Sequence, residues 1–220
     1  MRLESEAVAE ALFRIGAVSS DPAHPFKFSS GLWSPVYVDC RRLISFPRER
    51  TLVVDLFQDI VGRLPGPKPD IVAGGETAGI PFAAWVAERL ALPLVYVRKK
   101  PKEFGRLARV EGVVSDGQQA LLVEDLITNA GSKLSFQEGL LEAGAQVHNV
   151  LVIFEYGVPG TRRVLGEHSM TLSSLVSGSA LLEHGKRNGL LTPSQAKEID
   201  SFIAHPVEWS RAHSDAAEAQ

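Results

Sequence analysis

Residues Ala120–Lys133, ALLVEDLITNAGSK, decide the reading of this 220-residue chain. Four apolar residues predict a buried strand, which delivers two adjacent acids, Glu124 and Asp125, to its carboxyl end. The following residues are small or hydroxylated: Thr128, Asn129, Ala130, Gly131 and Ser132. Small side chains leave the backbone N–H groups open to a ligand, and a helix starting at Gly131 turns its positive end toward the same point. Amides, hydroxyls and helix end together make an anion cradle. Two carboxylates beside such a cradle suit a vicinal diol, such as ribose O2 and O3, and they can also engage a metal directly or through water. A strand-to-helix turn capped by Thr or Ser accounts for any one of these residues alone. Apolar strand, acid pair, Thr and Gly-Ser in this order are much rarer.

The same rhythm extends in both directions. DIVAGG from Asp70 predicts a short buried strand, followed by a helix over Gly79–Leu90 and a second strand in LPLVYVR. QALLVED is the third strand, with a helix over Gly131–Ala143, and QVHNVLVIFEY is the fourth. Strands apolar throughout and separated by amphipathic helices indicate an α/β protein whose mostly parallel sheet is covered on both faces. MTLSSLV adds a strand, and Ala180–Asn188 and Pro193–Ala204 two short helices. Upstream, Ala7, Val8, Ala11, Leu12 and Ile15 stand at helical spacing with Gly16 as the stop. Pro47 opens a helix carrying Leu52, Leu56, Ile60 and Leu64. The segment between these helices is irregular and is expected to form a hood, mainly within residues 1–45, over the sheet's carboxyl edge, where ligands bind in such folds. Residues 1–209 read as a single domain and 210–220 as a flexible polar tail.

Composition narrows the class. The chain is 45% hydrophobic and 22% charged with a formal net charge of −3, which argues against a protein that coats nucleic acid. A single cysteine, Cys40, forms no intrachain disulfide and no zinc cluster, and the six histidines show no metal spacing. Glu4, Glu6 and Glu10 interrupt the N-terminal apolar residues, so no secretory signal or transit peptide is expected, and no apolar run approaches the roughly 20 residues that span a bilayer. A cytoplasmic protein without nucleic-acid or membrane partners is the expectation.

Three further segments carry chemistry. YVRKKPKEFGR gathers Arg98, Lys99, Lys100, Lys102 and Arg106 after a strand. It reads as a solvated basic loop or as a lid that brings cations to an anionic leaving group. VAGGETAGIPFAAWVA places a Gly-rich turn with Glu76 and Thr77 before a helix. FKFSSGLWSPVYVDCRRL contains Ser29, Tyr37, Arg41 and Arg42, with core packing as the plain reading of Tyr37. There is no GxxxxGK[ST] and no GxGxxG, which excludes a Walker loop and a dinucleotide fingerprint.

Taken with ALLVEDLITNAGSK, these motifs resemble the type I phosphoribosyltransferases, and specifically the orotate phosphoribosyltransferases. The resemblance is strong from Phe26 to Ala143 and weak beyond. It implies that family's fold and the transfer of a 5-phosphoribosyl group from phosphoribosyl pyrophosphate to orotate. By resemblance, Glu124, Asp125, Leu126, Ile127, Thr128, Asn129, Ala130, Gly131 and Ser132 hold the ribose and 5′-phosphate. Glu76, Thr77, Arg98, Lys99 and Lys102 meet the diphosphate, with Lys102, Glu124 and Asp125 as the catalytic set. Thr128, Ser29 and Tyr37 face orotate, and Arg41, Arg42, Arg162 or Arg163 could take its carboxylate. The resemblance further implies Mg²⁺ held mainly by the substrate, with Asp125 reaching it at most through water, and a homodimer whose lid enters the neighbouring site. This chain departs from the pattern at Ser29, Ala78, Phe104 and Ala130, where family members carry Lys, Lys, His and Gly respectively. The alternatives are a phosphoribosyltransferase for another base, which SSG…SPVYVD speaks against, or a binding-only paralogue or regulator.

Overall fold

The computed structural model describes residues 2–28, 30–100 and 109–218. Helix α1 (Arg2–Arg14) buries Val8 and Leu12, the buried Ile15 follows it, and the chain turns at Gly16, whose φ of +67° lets the Ala17 amide return to the Leu12 carbonyl. Four short strands follow: β1 (Val18–Ser20), β2 (Phe26–Lys27), β3 (Trp33–Ser34) and β4 (Val36–Val38). They pair antiparallel as β1 with β4 and β2 with β3. These two ribbons and the 3-10 turn Cys40–Ser45 form a layer of their own, called the hood below.

Helix α2 (Pro47–Val61) has Pro at its start, as read from the sequence, but turns a different face inward. Val53, Val54, Phe57 and Val61 are buried, whereas Leu56, Ile60 and Leu64 only flank the core. Both stripes are apolar, so periodicity alone did not choose between them. The packing against the sheet did.

The rest follows the predicted alternation closely: β5 (Ile71–Gly75), α3 (Gly79–Leu90), β6 (Leu94–Val97), β7 (Val110–Glu111), β8 (Gln119–Ile127), α4 (Gly131–Glu142) and β9 (Gln146–Glu155). Then come α5 (Thr161–Glu167), β10 (Thr171–Ser177), α6 (Gly178–Arg187), α7 (Pro193–Ala204) and α8 (Pro206–Glu218). The sheet order is β10-β9-β8-β5-β6-β7, parallel except for β7, which runs antiparallel along the edge of β6.

Alternation along the strands divides the core between the two faces. On β8, Leu121 and Val123 join the cluster under α1, α2, α3, α6 and α7, while Ala120 and Leu122 join the cluster under α4 and α5. A sheet covered on both faces explains why its strands read as unbroken apolar runs.

The C-terminal helices also fasten the hood. Ser210 Oγ accepts from the Trp33 amide at 2.9 Å, and Gln195 Nε2 donates to the Ser20 carbonyl at 2.9 Å. Helix α8 continues to Glu218, so the boundary drawn at residue 209 cuts through it, and Ser210 is itself buried. No helix among the described residues is long and apolar enough to cross a membrane.

Candidate active site

A cleft of about 850 Å³ opens between the hood and the carboxyl ends of β5, β6 and β8. Its floor is the acid pair. Because successive side chains on a strand point to opposite faces, Glu124 turns toward α4 and Asp125 toward the hood. Glu124 is 6% exposed and Oε2 accepts from Lys133 Nζ at 2.8 Å. Oε1 has no hydrogen-bond partner among the described residues and lies against Gly75 and Gly79. Burial raises the Glu124 carboxyl to about 7; Lys133 pulls the value down and the neighbouring Asp125 charge pushes it up. Asp125 is also raised by burial, opposed by Lys133, by the Leu126 amide that donates to Oδ1 at 2.8 Å, and by Arg41.

The loop after β8 splits into parts that face the cleft and parts that hold it in place. Thr128, Asn129 and Ser132 line the cleft. Leu126 lines it too and offers its carbonyl to Lys133, while the buried Ile127 serves the core and its carbonyl takes the Tyr156 amide. Asn129 Oδ1 accepts from Gly131 N at 3.1 Å. Ala130 stands at the helix cap, where it offers no side-chain acceptor to the first-turn amides of α4. With Gly131 N taken by Asn129, the next amides of the first turn remain as donors for a ligand. Ala130 also resolves one departure: its backbone is helical and its methyl is buried among core residues, so it does not narrow the approach to the cradle.

On the opposite wall, β5 ends in the Gly74-Gly75-Glu76-Thr77 turn, with a cis peptide between Glu76 and Thr77. An alanine Cβ at Gly75 would fall 2.5 Å from Phe136 and 2.6 Å from Glu124 Oε1, so this turn is glycine for want of space. Glu76 Oε2 accepts from the Lys99 amide at 2.8 Å, which ties the start of the basic segment to the turn. Lys99 lines the cleft beside Glu76, Thr77 and Ala78. Arg98 is not brought into it: the side chain approaches Glu111 on β7 at 3.9 Å, at the sheet's edge. Lys102 and Phe104 of the lid, and Ser29 of the hood, lie outside the described residues.

The hood supplies the roof. Tyr37 packs on Phe26 and Phe28, and its hydroxyl accepts from Arg41 Nη2 at 2.9 Å; Arg41 Nε meets Asp39 at 2.6 Å. Of the four arginines weighed for an acceptor carboxylate, only Arg41 lines the cleft. Arg42 Nε donates to the Ile15 carbonyl, Arg162 holds Glu155 and the Leu172 carbonyl, and Arg163 pairs with Glu167. Lys27 lines the cleft as well, over the Trp33 ring at 4.9 Å.

Two residues absent from the sequence-derived set complete the site. Tyr156, at the end of β9, accepts from the Val38 amide at 3.0 Å and packs on Phe28, joining hood to sheet. Lys133 lies buried behind the acids. Its signal was in the sequence: Lys133, Phe136, Gln137 and Leu140 share one buried helical stripe, in which a lysine needs a charged partner.

No group of three or more candidate metal ligands occurs among the described residues. One carboxylate is held by Lys133 and Asp125 is left facing the cleft. That donor set fits a Mg²⁺ carried by an anionic ligand and does not form a protein cage.

The family model described as "Phosphoribosyl transferase domain" matches residues 46–164. An orotate phosphoribosyltransferase of Roseobacter denitrificans is 47% identical over 207 residues, 93% of this chain and 92% of that protein. One from Cereibacter sphaeroides is 47% identical over 210 residues, covering 94% and 90%. Among solved structures, the orotate phosphoribosyltransferase of Aeropyrum pernix superposes with a TM-score of 0.67 at 31% identity, covering 80% of this chain and 97% of that one. The UMP synthase of Leishmania donovani gives 0.79 at 25% identity, covering 91% of this chain and 42% of that longer one. With this fold, this cleft and these relatives, the chain belongs to the phosphoribosyl transferase family, among its orotate phosphoribosyltransferases.

Proposed function

We propose that the protein transfers the 5-phosphoribosyl group of phosphoribosyl pyrophosphate to N1 of orotate, giving orotidine 5′-monophosphate and pyrophosphate, a step of pyrimidine biosynthesis. The observation that carries this reading is the acid pair beside the start of α4 at one end of the cleft, in a chain 47% identical to orotate phosphoribosyltransferases. The charge of orotate lies on its carboxylate and N1 carries a hydrogen, so as the N1 lone pair bonds to C1′ the N1 proton leaves to water. The C1′–O bond breaks and its electron pair leaves with the diphosphate.

The side chains then act by position and charge. The amides of residues 132 and 133 and the Thr128 and Ser132 hydroxyls hold the 5′-phosphate, while the Gly131 amide stays on Asn129 Oδ1. Glu124 and Asp125 accept from the ribose hydroxyls and favour the positive charge that grows on the ring. Glu76, Thr77 and Lys99 meet the diphosphate, with Lys102 and Arg98 supplied by the lid. Tyr37 and Arg41 cover the base. Mg²⁺, bound with the substrate, would neutralise charge on the leaving diphosphate, with Asp125 reaching it through water.

We infer a homodimer whose lids cross to the neighbouring site, the assembly that the family resemblance implies. We place the enzyme in the cytoplasm, where the lone buried thiol of Cys40 suits a reducing compartment.

The test follows orotate consumption by the full chain with phosphoribosyl pyrophosphate and Mg²⁺, against uracil, hypoxanthine and adenine. Turnover of orotate alone supports the assignment. Turnover of another base in its place removes it, and binding of phosphoribosyl pyrophosphate with no turnover of any base establishes the binding-only alternative.

A further inference from the structure

Lys133 is the third residue of α4 and only 3% exposed. Helical side chains lean toward the helix N-terminus, so this one reaches back over the first turn to the end of β8. There its ammonium donates to the Leu126 carbonyl at 2.7 Å, to Glu124 Oε2 at 2.8 Å and to Ser132 Oγ at 3.3 Å. All three N–H donors are used.

Stability alone gives no reason for a charge at this position. The same helical stripe buries Phe136 and Leu140, and a well-packed apolar pair commonly matches or exceeds a buried ion pair in stability. What an apolar residue cannot do is fix a carboxylate. Leu126 lies in β8 where that strand is paired with β9, opposite Phe154, and Ser132 in a helix start, so both are fixed posts for the ammonium. The ammonium in turn clamps Glu124 against Gly75 and Gly79, where even a methyl group has no room. Glu124 is thereby held to one orientation, directly beneath the diphosphate turn and next to the phosphate loop.

We propose that Lys133 is a positioning residue for the phosphoribosyl donor, acting through Glu124. The inference rests on the phosphoribosyl-transfer reading above, because it takes Glu124 as a ribose ligand. Lys133 touches no substrate. Its ammonium sets where the ribose hydroxyls find their acceptor relative to the 5′-phosphate cradle, so its loss weakens recognition of the donor and spares the acceptor base.

A double-mutant cycle on the full chain tests this, using Lys133→Met, Glu124→Gln and the two combined. The readouts are kcat and KM for both substrates, the calorimetric Kd of phosphoribosyl pyrophosphate, and the melting temperature. Lys133→Met is expected to raise KM for phosphoribosyl pyrophosphate about tenfold or more, with KM for orotate within about threefold of the parent. In the Glu124→Gln background the same substitution is expected to change the donor KM by less than about twofold, since the residue it acts through is already gone. The combined variant leaves no buried carboxylate without a partner, so this comparison survives even if Lys133→Met fails to fold.

Three outcomes overturn the proposal: an unchanged donor KM; a fall in kcat with both KM values unmoved, which marks loss of folded enzyme only; or the full effect recurring in the Glu124→Gln background. A parent enzyme that binds phosphoribosyl pyrophosphate but does not consume orotate defeats the proposed function instead, and Lys133 is then judged on the calorimetric Kd by the same ratios.

Discussion

Replacing Gly79 with alanine adds one methyl group at the tightest point of the site. Its Cβ would stand 2.6 Å from the Val123 carbonyl, 3.3 Å from Glu124 Cα and closer still to Glu124 Oε1. Favourable carbon contacts begin at about 3.5 Å, so the shortfall against Val123 is close to 1 Å. Val123 cannot yield, because β8 is paired with β5 on one side and β9 on the other. Helix α3 must therefore move outward and carry the Gly74-Gly75-Glu76-Thr77 turn with it. Overpacking of this kind costs about 1–3 kcal/mol, and alanine's helical advantage over glycine returns at most about 1 kcal/mol. A net loss of about 1–2 kcal/mol is expected from urea unfolding, with KM for phosphoribosyl pyrophosphate rising about tenfold as the turn and Glu124 separate. Gly166→Ala is the matched control. It lies in α5 with open space around its position, and it should leave stability unchanged or raise it by up to about 1 kcal/mol. Gly79→Ala as stable as the parent, with an unchanged donor KM, would refute the close approach of α3 to β8.

Tyr156→Phe removes the acceptor of the buried Val38 amide, which should cost about 1–3 kcal/mol in urea and raise KM for the acceptor base more than for the donor; equal changes in both would contradict its role as the hood's anchor. Glu124 sits at about 7 in the folded chain against an ordinary 4.5, so across that interval the folded state keeps a proton that the unfolded state has released. Its contribution to stability is therefore greatest at low pH and is lost as pH rises through 7. Between about pH 5 and 8 the parent should lose on the order of 2–3 kcal/mol more than Glu124→Gln, and equal pH slopes would contradict the burial argument. Lys102→Ala should lower kcat by about tenfold or more with an unchanged melting temperature, and unaltered kinetics would remove Lys102 from the mechanism.

The alternation of apolar runs with amphipathic segments was enough to locate β5, α3, β6, β8, α4, β9 and α7, because a doubly covered sheet writes its burial directly into hydrophobicity. Elements that depend on partners distant in sequence were not legible. Strand β7 is two residues long and exists because β6 offers an edge. Helix α5 hides behind GVPG, where Gly160 adopts φ +85° immediately before Thr161 begins the helix. Ser210 looked like the start of a polar tail, and only the fold brings Trp33 to it across 177 positions. The site divides in the same way. Glu124, Asp125 and the loop to Ser132 are contiguous, so their chemistry could be read in order. The choice of Arg41 over Arg42, Arg162 and Arg163, and the bond from Tyr156 to the hood, depend on contacts between separate segments. Lys133 ends the segment ALLVEDLITNAGSK, yet its contact with Glu124 exists only because α4 folds it back onto β8.

Asp125→Asn tests most directly whether chemistry occurs at the carboxyl end of β8. The substitution keeps the shape of the side chain and the acceptor for the Leu126 amide, and removes the charge that faces the cleft. With orotate, phosphoribosyl pyrophosphate and Mg²⁺ at saturation, kcat should fall by about a hundredfold or more, equivalent to about 2.7 kcal/mol of transition-state stabilisation. The melting temperature should hold steady or rise, since a carboxyl raised by burial is relieved of its charge. A kcat within about threefold of the parent would contradict the account at its centre.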